Sequence, residues 1–134
     1  MTEKTRYPTE QQEQVAFVRW MRRNGIPHFA VPNGGLRRSK TAGSLRSAGV
    51  VKGVPDLFVC VSLAKAPHGV WIEMKRQGSR ASDVSPDQRQ WIANLRAVGH
   101  AAEVAAGCED AKRILVEAYG VTVFDLDAQG RRKP

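Results

Sequence analysis

The order of local periodicities along this chain predicts an α/β fold: a helix, three strands, a helix, a strand and a closing helix. Two observations carry that expectation. Apolar residues recur at helical spacing after clear start signals near Thr9 and Ser85, while β-branched and aromatic residues concentrate in short runs at 57–61 and 70–74. The length of 134 residues suits one domain with one modest core. That domain is expected over residues 1–126, with a basic, disordered tail at 127–134.

Each element has its local reason. Thr9 with Gln12 three residues later forms a capping box, and Val15, Phe17, Val18 and Met21 give the first helix an apolar face. Gly25 and Pro27 stop it, and His28 to Pro32 reads as a first strand. Ser44 to Gly49 is expected to add a helical turn inside a basic loop. Residues 57–61 and 70–74 flank the turn-prone Lys65-Ala66-Pro67-His68-Gly69, which predicts a β-hairpin. Ser85, Pro86 and Gln88 make the next helix start, with Trp91, Ile92, Leu95 and Val98 as its stripe and Gly99 as its end. His100 to Ala106 reads as a strand, Glu109 to Tyr119 as a helix, and 121–126 as an extra strand. A helix between the hairpin and the fourth strand implies a right-handed parallel crossover, so the sheet is mixed.

The chemistry concentrates in Gly53-Val54-Pro55-Asp56-Leu57 and Ile72-Glu73-Met74-Lys75. Side chains alternate along a strand, so Glu73 and Lys75 share one face and Ile72 and Met74 the other. Folding the hairpin returns Asp56 to the end of the second strand. Two carboxylates and an ammonium then converge, which is the equipment for divalent-metal phosphodiester chemistry. Taken singly, a Glu-x-Lys pair is a solvated strand edge and a Pro-Asp pair is a turn. Their conjunction on adjoining strands of a basic chain is what points to catalysis. Glu73 lies between apolar neighbours, and a buried carboxylate needs something to offset its charge.

Composition narrows the partners. The net charge of +8 and pI near 10.1 suggest an anionic partner, most often nucleic acid. Between Asn33 and Lys52 stand Arg37, Arg38, Lys40, Arg46 and Lys52, with no acidic residue and with glycines that let backbone approach phosphates. Lys75, Arg76 and Arg80 form a second cluster, and Arg131-Arg132-Lys133 fall in the tail. No apolar run approaches a membrane span and residues 1–20 lack a signal peptide's core, so no membrane partner and a cytoplasmic location are expected. Cys60 and Cys108 do not make a disulfide framework, and His28, His68 and His100 show no zinc spacing with them.

These residues resemble the PD-(D/E)XK nuclease superfamily, and within it the VRR-Nuc family of phages, bacteria and eukaryotic repair enzymes. The resemblance spans residues 9–119. It rests on Glu10 with Gln14, Pro32-Asn33-Gly34-Gly35, the Asp56 and Glu73-x-Lys75 segments, and Ser85-Pro86-Asp87-Gln88 with Trp91, Leu95 and Gly99. The position of Asp87 is often Glu in that family. The resemblance implies a restriction-endonuclease-like αβββαβ core, a central mixed sheet flanked by helices.

By that resemblance, Asp56, Glu73, the backbone carbonyl of Met74 and Glu10 are the expected ligands of one or two Mg²⁺ or Mn²⁺ ions. Glu13 rivals Glu10 as the helix acid, and for either the plain reading is an acid favoured near a helix N-terminus. Lys75 would orient the attacking water, stabilise charge or take a proton. Gln88 would hold the water or a phosphate, or else serve only its capping box. Asn33, Arg37, Arg38, Lys40, Arg46, Lys52 and Arg76 are the expected DNA contacts. Single-domain relatives are associated with homodimers that cut branched DNA such as four-way junctions. Three readings follow: a structure-selective, metal-dependent DNA endonuclease; a DNA-binding module with little catalysis; and an end-dependent or restriction-type nuclease.

Overall fold

Thr9 and Gln12 cap the first helix reciprocally, each side chain bonding the other's backbone N–H at 3.1 and 2.9 Å. The computed structural model describes residues 7–32 and 39–124, with side chains from Gly43 onward in the second stretch. In chain order the elements are α1 (Glu10–Arg23), β1 (His28–Ala30), α2 (Ser39–Ser47), β2 (Leu57–Val59), β3 (Val70–Lys75), α3 (Pro86–Ala97), β4 (Ala101–Ala106) and α4 (Cys108–Arg113). A π-helical turn, Ile114–Ala118, extends α4.

The sheet order is β1-β2-β3-β4, with antiparallel pairing twice and then a parallel pair. The expected mixed sheet is therefore present, and the helical turn expected at 44–49 is the end of the full helix α2. The hairpin register pairs Leu57 with Ile72 and Val59 with Val70. Its turn closes through paired backbone bonds between Leu63 and Ala66, both at 3.0 Å, and β2 ends at Val59, short of the expected 57–61. The extra strand expected from residue 121 does not form over 121–124. Asn24, buried at the end of α1, accepts the Phe124 N–H at 3.0 Å, and Val121 is buried in the core, so this segment lies against α1 instead of extending the sheet. Residues 125–134, including the expected tail, lie outside the described residues.

Strand alternation sorts the two faces. Leu57, Val59, Val70, Ile72 and Met74 are fully buried with Phe17 and Met21 of α1 and Ala111 and Leu115 of the closing helix. Each of these side chains larger than alanine contributes about 1.5–3 kcal/mol of burial. The opposite face carries Trp71, Glu73 and Lys75, and α3 packs beside it on β4 through Ile92. Both cysteines are free, Cys108 buried and Cys60 exposed. No helix among the described residues is long and apolar enough to cross a membrane.

Candidate active site

Continuing the hairpin register one residue past its last pair sets Asp56 opposite Glu73, on the face away from the core. The two carboxylates are joined there by Glu10 from the first turn of α1: one oxygen from each of the three lies within 4.8 Å of the others. Asp56 is held in place because its Oδ2 accepts the Met74 N–H at 2.8 Å. The N–H and C=O of one strand residue point to the same side, so the Met74 carbonyl also faces the Asp56 side of β3. Its side chain is buried in the core.

Gly53 lets the chain reach this position. Its φ of +93° is unfavourable for a residue with a side chain, and a Cβ there would meet the Asp87 backbone carbon at 2.7 Å. The strand-leading segment therefore crosses directly over the N-terminus of α3. Pro55, fully buried, stiffens the step into Asp56.

Burial gives the cluster its electrostatic character. Glu73 is 1% exposed and its Oε2 has no hydrogen-bond partner among the described residues. Burial above all, then the hydrogen bond and charge of Asp56, push its carboxyl up to about 10, against the opposing charge of Lys75. Lys75 is itself buried, 8% exposed, and lies on the same face of β3 as Glu73. The backbone beyond it is pinned twice: Gly107 N–H donates to the Lys75 carbonyl at 2.8 Å, and Glu13 accepts the Gln77 N–H at 3.3 Å. Glu10 and Glu13 thus part company, one among the acids and the other in a buried structural bond.

A cleft of about 1160 Å³ opens over the cluster, lined by Glu10, Asp56, Gln88, Trp91, Arg46 and Lys52 among others. Gln88 Oε1 accepts the Ser85 N–H at 2.9 Å, closing the capping box, so its amide NH₂ is the donor end left for the cleft. Lys52 reaches Asp87 at 3.5 Å with both groups largely exposed, a pairing worth little. Arg76 turns elsewhere and donates to the Tyr7 carbonyl at 3.3 Å, bracing the chain before α1. Asn33, Arg37 and Arg38, with the Lys40 side chain, lie outside the described residues. Sequence reasoning passed over Trp91 as a cleft residue; its place on the α3 stripe hid that role.

The family model of the VRR-NUC domain matches residues 8–109. The chain belongs to the VRR-NUC family. A solved structure described as a "VRR_NUC domain protein" aligns with this VRR-NUC chain at a TM-score of 0.72, with 24% identity, covering 90% of this chain and 95% of that one. At that identity the likeness shows the fold. No curated protein matches the chain. Membership of the VRR-NUC family implies a nuclease-type function acting on DNA.

The residues present suit the divalent cation that such a family implies. Three converging carboxylates supply hard oxygen donors. One of them carries a buried oxygen without a partner and resists ionisation in the absence of added positive charge. A cation meets both needs.

Proposed function

We propose that this protein is a divalent-metal-dependent DNA endonuclease, selective for branched DNA such as four-way junctions or flaps, and that it works as a homodimer. The observation that carries this reading is the meeting of Glu10 and Asp56, which line the cleft, with buried Glu73, on whose strand face buried Lys75 also lies. Glu10, Asp56 and Glu73, with the Met74 carbonyl, would hold Mg²⁺ or Mn²⁺. A cation bound there offsets charge building on the phosphate and acidifies water.

The chain's own groups do the remainder. Lys75 contributes a fixed positive charge beside the acids, orienting the attacking water and stabilising the phosphate. The N-terminus of α3, which faces the cleft through Ser85, Asp87 and Gln88, adds its partial positive charge. The Gln88 amide donates to the water or to a phosphate oxygen. Arg46 and Lys52 contact the sugar–phosphate backbone, joined by Asn33, Arg37, Arg38 and Lys40 from the stretch before and within α2. Arg76 adds a backbone contact of its own while one of its guanidinium nitrogens braces the chain before Glu10 through the Tyr7 carbonyl. Such contacts position DNA without reading its bases, which suits recognition of shape. A two-fold dimer would present two sites to two strands of a junction.

The test is incubation of the protein with labelled four-way junction, flap, linear duplex and single strand, with and without Mg²⁺. Cutting confined to branched DNA in Mg²⁺ is the expected result. Degradation from ends, or binding with no cutting, would replace this reading with an end-dependent nuclease or a binding module.

A further inference from the structure

The carboxylate face holds an aromatic row that the catalytic reading leaves unused. Phe58 stands two residues along from Asp56, and Trp71 two residues before Glu73. The two rings are cross-strand partners, and Phe58 is also the partner of Phe29 on β1. Their centroids lie 4.6 Å apart for Phe58–Trp71, 5.4 Å for Phe29–Phe58 and 6.5 Å for Phe29–Trp71.

Residues two apart in a strand share a face, so this row lies one pleat from the acids, about 7 Å along the strands. That distance is about two base steps of a stacked strand at roughly 3.4 Å each. The row is not needed to close the main core, whose strand residues Leu57, Val59, Val70 and Ile72 point the other way and are fully buried. Phe29 is 51% exposed on the edge strand, and Phe58 and Trp71 are half-buried. Scattered exposed apolar residues are ordinary, but three rings in contact across three strands, tilted by 40°, 53° and 88° to one another, make a contiguous aromatic patch whose most exposed ring is Phe29.

We propose that Phe29, Phe58 and Trp71 form a stacking platform for an unpaired nucleobase next to the phosphate held at the acids, an inference that rests on the nuclease reading above. Every base has a π face, and stacking on aromatic side chains is tolerant of sequence. A base inside a duplex has both faces covered by its neighbours. Only a strand opened at a branch point or a single-stranded flank can place one on the rings. The platform therefore favours cleavage where pairing ends, and the net charge of +8 suits the polyanion that carries the base.

The experiment uses the full chain in Ca²⁺, with binding read by fluorescence anisotropy on a labelled thymine oligonucleotide and on a blunt duplex. Phe29→Ala is expected to weaken single-strand binding about 5- to 100-fold, the range one lost base stack allows. Duplex affinity and both salt slopes stay as in the parent. Phe29→Leu, which keeps apolar bulk without a π face, should lose most of the same affinity, while Phe29→Trp restores it. Equal weakening on both DNAs, or full single-strand binding by Phe29→Leu, overturns the platform. So does conversion of a dimer to a monomer by Phe29→Ala with single-strand affinity intact, which would assign the patch to a second copy of the chain. Because no cleavage is required, a protein that cuts nothing can still keep the platform, and an active nuclease can still lose it.

Discussion

Asp56 and Met74 are joined by a 2.8 Å hydrogen bond from the strand's backbone N–H to the carboxylate of the incoming turn. That bond extends the hairpin beyond its last backbone pair. It brings an acid that precedes β2 alongside an acid carried within β3.

Substitutions at Asp56 can therefore separate positioning from ligation. Asp56→Asn keeps an acceptor for the Met74 N–H but removes the charge, so it should fold normally and lose Mg²⁺-dependent cleavage. Asp56→Ala and Lys75→Ala should also abolish cleavage while DNA binding in Ca²⁺ survives. Cutting at the parental rate by any of these proteins would remove the assignment.

Glu73 predicts a linkage between pH and cation. Its folded carboxyl is raised from 4.5 to about 10, chiefly by burial, so the protonated acid is favoured in the folded chain. Stability from this source is fully present below 4.5 and is lost as pH rises toward about 10. A bound cation offsets the ionised form, so the rise in Tm on adding Mn²⁺ should grow between about pH 6 and pH 9. Glu73→Gln should flatten the pH dependence in EDTA and lose the cation response. A Mn²⁺ effect that does not change with pH would contradict this.

Gly53→Ala should destabilise the chain by about 1–3 kcal/mol in urea unfolding, because both the φ of +93° and the 2.7 Å approach to Asp87 forbid a Cβ. Cleavage should fall further than stability explains, since the strain is carried three residues from Asp56. Unchanged stability and activity would show that this crossing of α3 is not needed.

Replacing Arg37 and Arg38 together should weaken DNA binding and lower its salt slope by about one unit for each lost phosphate contact. Lys52→Ala should have a smaller effect, because it removes one phosphate contact where the double variant removes two. A parental salt slope in the double variant would place the DNA elsewhere.

Much of this molecule was legible in one dimension. Both capping boxes, the glycine stop after α1, the hairpin and the parallel return after α3 follow from neighbours within a few residues. Residue 121 onward misled, since an apolar run signals burial without saying against what. Asn24, far away in sequence, captures the Phe124 N–H and decides it.

The choice between Glu10 and Glu13 marks the boundary. Three residues apart on one helix, they sit on nearly the same face, and spacing alone left both in contention. Glu13 continues the row of Phe17 and Met21, so packing of α1 buries it against the Gln77 N–H. Glu10, one turn nearer the helix start, joins Asp56 and Glu73. Sequence by itself determined which residue types stand on which element, because helical and strand periods act over short range. The sheet register, the crossing of α1 and the passage of Gly53 over α3 are long-range contacts, and only the tertiary structure decided which acids meet and which rings lie beside them.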